Sequence, residues 1–82
     1  MDRNLYLQLC QRCSLFSTGI LKAKENVPDE LKVIYKGIVY YPHAYEMSFK
    51  NGETINTAIL HDLKANSVTY AELSKVDKYL KL

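Results

Sequence analysis

Residues 40–70, YYPHAYEMSFKNGETINTAILHDLKANSVTY, hold the pattern that decides the fold of this chain. Before the Asn51-Gly52 turn, Tyr45, Met47 and Phe49 alternate with smaller or polar residues, which is the period-2 pattern of a half-buried strand. The run after the turn is less decisive by itself. The stretch therefore predicts a β-hairpin whose register depends on the length of the loop.

The loop length decides which side chains share a face of this hairpin. A two-residue loop, Asn51-Gly52, would pair Phe49 with Thr54 and so mix apolar with polar residues. A three-residue loop, 50–52, uses Gly52 at positive φ beside a bulge and pairs Met47 with Ile55. We predict the three-residue loop, because it gathers one apolar surface from Tyr45, Met47, Phe49, Ile55 and Ile59.

Composition limits the class of protein. The 82 residues are enough for one domain, 1–82, that buries roughly 60–65% of its unfolded surface. Eleven basic and nine acidic residues leave a net charge of +2, which is not the electrostatic footprint of a dedicated DNA binder. The first residues lack the apolar run of a signal peptide, and no stretch is as long as a membrane span. We expect a cytoplasmic protein that does not bind membranes.

The two ends of the chain predict helices around a sheet. Residues 2–18 have an apolar stripe at spacings of three and four, capped by Asp2 or Asn4, that contains Leu5, Leu9, Cys13 and Phe16. Residues 32–71 predict an antiparallel sheet, with a tight hairpin or a bulge at Lys36-Gly37 and a strand end or edge at Pro42. Ser74 and Asp77 resemble a capping box that opens a short helix, 74–80.

These elements together predict an α+β fold. About five short antiparallel strands, with one helix before them and one after, suggest a β-meander or a small SH3-like barrel. The similarity to SH3-like barrels lies in the order of elements alone and indicates no activity.

Cys10 and Cys13 form the most conspicuous candidate site. Thiolates at this spacing can bind zinc, and His43 and His61 would complete a set of four ligands. The pair lies within the predicted helix, however, where two reduced thiols on the buried stripe are the simpler interpretation. We expect no cofactor and keep zinc as an alternative.

The seven tyrosines outnumber the places available in so small a core, which favours a contact with another protein. Leu7 and Leu15 lie off the main helical stripe and widen its apolar surface, so a second copy of the chain is one candidate partner. The predicted contact residues are Tyr40, Tyr41, Tyr45, Leu7 and Leu15. A single-stranded nucleic-acid platform is the alternative, formed by Tyr40, Tyr41 and Tyr45 with Lys36 and Lys50.

The segments KGIVYYP and NGETINTAILHDLKANSV resemble parts of small accessory proteins from Gram-positive phages and mobile elements. The resemblance covers residues 30–76 and implies no activity. Spacing assigns no nucleophile or orienting residue to His61-Asp62, so we predict no catalytic residues. The sequence thus predicts a non-enzymatic protein-interaction module.

Overall fold

The computed structural model describes residues 1–17, 27–62 and 67–80, and for residues 15–17 only the backbone. One helix, α1, precedes five strands and two short 3-10 turns, Asp29–Leu31 and Leu73–Lys75. The elements are α1 (Arg3–Ser17), β1 (Val33–Tyr35), β2 (Ile38–Lys50), β3 (Glu53–Asp62), β4 (Val68–Glu72) and β5 (Asp77–Lys78).

The strands form one antiparallel sheet in the order β4-β3-β2-β1-β5. This arrangement confirms the predicted α+β class. The outer strands, β4 and β5, do not pair with each other, so the sheet is open over the residues that the structure describes. The predicted SH3-like barrel is therefore not confirmed.

Helix α1 is the predicted amphipathic N-terminal helix, and Asp2 caps it. The Leu5 amide donates to Oδ2 of Asp2 at 3.3 Å, which satisfies one of the amides that lack a partner in the first turn. Tyr6, Leu9 and Cys13 are buried at spacings of three and four, so Tyr6 belongs to the stripe that sequence spacing assigned to Leu5. Residue 18 of the predicted helix lies outside the described residues.

The β2–β3 hairpin has the two-residue loop, and the predicted three-residue loop is wrong. Lys50 pairs with Glu53 and Phe49 with Thr54. Asn51 and Gly52 have φ of 53° and 79°, the left-handed conformation that a tight hairpin turn requires at both positions. Phe49 and Thr54 are both exposed here, so no buried face demands that apolar residues match.

Strand β2 does not end at Pro42, but no described strand lies on its side away from β3 there, because β1 pairs only with residues 38–40, so the predicted edge is confirmed. The pairing with β3 shifts between Pro42 and Ala44, and this bulge accommodates His43 as an extra residue. Proline is tolerated at bulges because the ladder is already interrupted. The shift sets Tyr45 opposite Ala58.

Two further predictions concern the turn after β1 and the strand that pairs with its outer edge. Lys36 and Gly37, with φ of 51° and 78°, form the turn of a tight hairpin in which Tyr35 pairs with Ile38. This confirms the hairpin at Lys36-Gly37. The predicted helix at 74–80 is wrong, because Asp77–Lys78 forms β5 along the outer edge of β1. Residues 63–66, between β3 and β4, lie outside the described residues.

The core lies where α1 and the two 3-10 turns cover the sheet. Ala58 pairs with Ala71 and Tyr40 pairs with Val33, which places these buried side chains on one face of the sheet. The largest fully buried side chains are Tyr6, Leu31, Leu60, Val33 and Val76. Burial ends along the hairpin, since every residue of β2 after Tyr45 is exposed.

Candidate functional site

Tyr6 joins helix α1 to the sheet beside the bulge. Its hydroxyl lies 2.8 Å from the Ala44 carbonyl oxygen and 3.0 Å from that of Ile59, two residues that face each other across β2 and β3. The single hydroxyl hydrogen is donated to one of these carbonyls at a time. Burial, reinforced by the neighbouring Cys10, raises the pKa of Tyr6, so the hydroxyl stays protonated and remains a donor.

The predicted metal ligands meet around one small cavity. It has a volume of about 120 Å³ and lies between α1 and the bulged part of β2. The rings of His43 and His61 are 5.9 Å apart at their centroids. The lining residues are Cys10, Cys13, Ser14, Tyr41, Pro42, His43 and His61. The fold thus brings the four predicted ligands, from three separate parts of the chain, to one cavity.

The Cys10 thiol lies in a part of this cavity that disfavours its ionised form. Burial raises the pKa of Cys10 to about 11, against a weaker lowering by its hydrogen bond with Tyr6, and Cys13 raises it further. A thiol with this pKa is protonated near neutral pH, whereas metal binding and nucleophilic attack use the thiolate. Within the described ranges, no three His, Cys, Asp or Glu side chains are arranged to hold a metal ion.

The structure does not expose the tyrosines that the sequence placed at a contact. Tyr40 and Tyr41 are each only 6% exposed and belong to the core. Tyr45 is half-buried, and its hydroxyl donates to Oδ1 of Asn56. Among the tyrosines, the exposed rings are instead those of Tyr70 and Tyr79.

The helical part of the predicted contact is Leu7 and Leu15. Leu7 is 38% exposed, so it is available on the surface of α1. The side chain of Leu15 lies outside the described part of the chain. The predicted contact patch therefore reduces to Leu7 and the accessible part of Tyr45.

The residues of the nucleic-acid alternative are likewise not brought together. Lys36 lies in the turn before β2 and Lys50 at the far end of β2, so the strand separates them by about 40 Å. The Lys36 ammonium lies 5.3 Å from the ring of Tyr35 instead. Since Tyr40 and Tyr41 are buried, these five residues form no stacking platform.

One side of β2 is unpaired over most of the strand. Strand β3 pairs with β2 from Tyr40 to Lys50, whereas β1 pairs only with the first three residues of β2, 38–40. Beyond these three, no strand in the described part of the chain occupies the side of β2 that faces away from β3. We call residues 45–50, with this open side, the β2 edge.

The β2 edge presents both backbone groups and apolar side chains. Lys50 and Glu53 flank the tight turn, so their backbone groups bond to each other across it. In an antiparallel ladder such bonded pairs alternate with pairs whose backbone groups point away from each other. The N–H and C=O groups of Tyr45, Met47 and Phe49 therefore point away from β3, toward the open side. The side chain of Phe49 is 73% exposed and that of Met47 is 46% exposed. An extended strand could therefore bond to this edge and cover two apolar side chains.

Strand β3 also has an open side over residues 53–56, but other elements partly cover it. Strand β4 pairs with β3 only from Thr57 onward. The open part of β3 faces a cleft of about 530 Å³ that residues 1–3 and 72–74 close on the other side, and Ile55 and Asn56 are half-buried there. The β2 edge is thus the more accessible of the two.

Sequence reasoning assigned no contact role to Glu46, Met47 and Phe49, and it assigned Lys50 one only in the nucleic-acid alternative. It placed Met47 and Phe49 on the buried face because it favoured apolar matching over turn geometry. The Asn51-Gly52 dipeptide was the available signal, because it is typical of a two-residue turn with both residues at positive φ.

Of the helices that the structure describes, none is long and apolar enough to cross a membrane. Comparison with known proteins finds no match for this chain, neither to a family model, nor to a curated protein, nor to a solved structure.

Proposed function

We propose that this protein is a non-enzymatic protein-binding module whose contact is the β2 edge. A partner adds an extended strand beside β2, so that its backbone bonds to the outward N–H and C=O groups of Met47 and Phe49. In this mode of recognition, main-chain hydrogen bonds supply affinity and alternate side chains supply specificity. The partner strand also covers the two exposed apolar side chains.

The observation that carries this proposal is the exposure of Phe49, at 73%, beside an open strand edge. An open edge is a template for pairing with another chain, and proteins commonly protect it with prolines, bulges or covering elements. Pro42 and the bulge lie near the middle of β2, before the β2 edge begins. Residues 46–50 include the charged Glu46 and Lys50 but have no proline, bulge or covering element in the described structure.

We also propose an origin and a location for the protein. The resemblance of residues 30–76 to accessory proteins of Gram-positive phages and mobile elements supports an origin in such an element and implies no activity. The composition supports a cytoplasmic site of action. Each of these proposals is independent of the β2 edge and is tested separately from it.

Affinity capture with a blocked edge tests the function. The wild-type protein is immobilised and exposed to a native lysate supplemented with a purified, untagged copy of the same chain. Phe49→Lys places a charge on the apolar side of the edge, and Tyr70→Lys is the matched control, because Tyr70 is an equally prominent ring, 62% exposed, on β4. We expect a bound protein that Phe49→Lys loses and Tyr70→Lys retains.

Two results would overturn the proposal. One is that nothing binds to the wild-type protein. The other is that Phe49→Lys captures the same proteins in the same amounts as the wild type, because the β2 edge would then contribute nothing to the contact.

A further inference from the structure

We propose that the partner of the β2 edge is a second copy of this chain, joined edge to edge about a two-fold axis at Ser48. This inference rests on the proposed strand addition and identifies the added strand as β2 itself. A closed two-fold contact uses the same surface twice, so the surface must be complementary to itself. The sequence of the β2 edge meets this requirement in one register.

The ladder geometry first limits the registers that are available. In an antiparallel pair, residues that face each other either both direct their backbone groups at the partner or both direct them away. The backbone N–H and C=O groups of Tyr45, Met47 and Phe49 point outward. Each of these residues must therefore face a residue of the second copy whose backbone groups also point outward. A two-fold axis therefore passes through a residue position and not between two residues.

Charge then selects among the remaining axes. An axis at Glu46 or at Lys50 sets that residue against its own copy, and like charges directly opposite each other are destabilising. An axis at Tyr45 sets Lys50 against Tyr40, one at Met47 sets it against Ala44 and one at Phe49 sets it against Ser48, so none of the three forms a charge pair. An axis at Ser48 sets Glu46 against Lys50 of the second copy, and symmetry repeats this pair.

The same axis also matches the apolar side chains. It places Phe49 of one copy beside Met47 of the other, and these two residues lie on the face opposite to Glu46 and Lys50 because successive side chains alternate. Both apolar side chains are exposed in the single chain, at 73% and 46%. Pairing reduces this exposure and joins two five-stranded sheets into one continuous sheet.

A charge-swap experiment tests the register. Glu46→Lys faces Lys50 of the second copy, and Lys50→Glu faces Glu46, so each single variant replaces both attractive pairs of the dimer with repulsive ones. We expect a wild-type dimer in sedimentation equilibrium at micromolar concentration and a dissociation constant at least about tenfold higher for each variant alone. A mixture of the two variants restores the opposite pairs, so it should form a heterodimer of about wild-type affinity.

Two matched variants control for the changes in net charge. Glu30→Lys makes the same change as Glu46→Lys at an exposed residue outside the sheet. Lys50→Glu sets an acidic residue opposite Glu53 of the same chain. Lys75→Glu is its control, because Lys75 lies 3.7 Å from Glu72 and the substitution likewise sets two acidic residues together within one chain. Both controls should dimerise like the wild type, and circular dichroism of all variants shows whether they are folded.

The outcomes separate this inference from the proposed function. A wild-type protein that stays monomeric throughout the micromolar range overturns the self-pairing, while capture of another protein that Phe49→Lys abolishes would leave the strand addition intact. A dimer that neither charge variant weakens, or a mixture that shows no recovery, overturns the Ser48 register.

Discussion

At the scale of single residues, Tyr6 connects the helix to the sheet through one hydroxyl group. The ring is fully buried, and the hydroxyl has two backbone carbonyls within reach at the bulge. Loss of this donor removes a hydrogen-bond partner from backbone carbonyls that are partly buried, so its absence costs more than an average hydrogen bond contributes.

We expect Tyr6→Phe to lower the free energy of unfolding by about 1–2 kcal/mol, because the ring still fills its space while the carbonyls of Ala44 and Ile59 lose their donor. Urea denaturation followed by circular dichroism measures this change. Tyr79→Phe is the control at a ring that is 40% exposed, and it should change stability little. Equal stabilities of the two variants would contradict the role of the hydroxyl.

Cys10 makes stability depend on pH in the alkaline range. Its pKa rises from an ordinary 9.0 to about 11, chiefly by burial, so the folded protein holds this proton more tightly than the unfolded chain does. The resulting stabilisation is fully present below pH 9 and is lost as pH rises toward 11. The raised pKa of Tyr6 acts in the same direction at higher pH.

We therefore expect the free energy of unfolding to fall between pH 9 and pH 11, and to fall less in Cys10→Ala than in the wild type. Chemical denaturation at several pH values under reducing conditions gives both slopes. If the two slopes coincide, the Cys10 thiol is not shielded from water as the structure indicates.

At the scale of elements, the β2–β3 turn shows how local backbone geometry prevailed over the matching of apolar residues. Asn51 and Gly52 at φ of 53° and 79° allow the tight turn that fits the twist of the strands. The prediction of a three-residue loop assumed that the whole hairpin had a buried face. Phe49, Met47 and Thr54 are exposed, so that assumption fails along the outer half of the hairpin.

We expect Gly52→Ala to lower the free energy of unfolding by about 1 kcal/mol, because a side chain at φ of +79° is strained. An added Cβ meets nothing within 4 Å, so the whole effect comes from the backbone. Gly37→Ala is the matched comparison, at φ of +78° and with equally open surroundings, and it should show a similar loss. A stabilised Gly52→Ala variant would contradict the assigned turn.

The C-terminal segment shows the opposite balance, in which long-range pairing prevailed over a local signal. The capping-box pattern of Ser74 and Asp77 is compatible with a helix, but a helix of two turns is only marginally stable on its own. Pairing of Asp77–Lys78 with β1 and burial of Val76 at 0% exposure favour the extended form. Sequence spacing contains no information on this pairing, because β1 lies more than forty residues earlier in the chain.

At the scale of the whole molecule, the sequence was sufficient to predict the class of the fold but not which residues are exposed on the surface. Periodicity predicted the N-terminal helix and the strands, since each depends on local alternation of apolar residues. The bulge at His43 reverses that alternation within β2, where Tyr40 and Tyr41 before it are buried and residues 46–50 after it are exposed. The number of tyrosines therefore did not show which part of the surface is exposed.

The central claim is that the outward backbone of the β2 edge is open in one chain and paired when a second copy binds. Amide hydrogen exchange, resolved by residue and measured at low and high protein concentration, tests it most directly. The claim predicts that the amides of Met47 and Phe49 become protected as concentration rises, while that of Ser48, already directed toward β3, changes little. Rates for Met47 and Phe49 that are the same at both concentrations would contradict it.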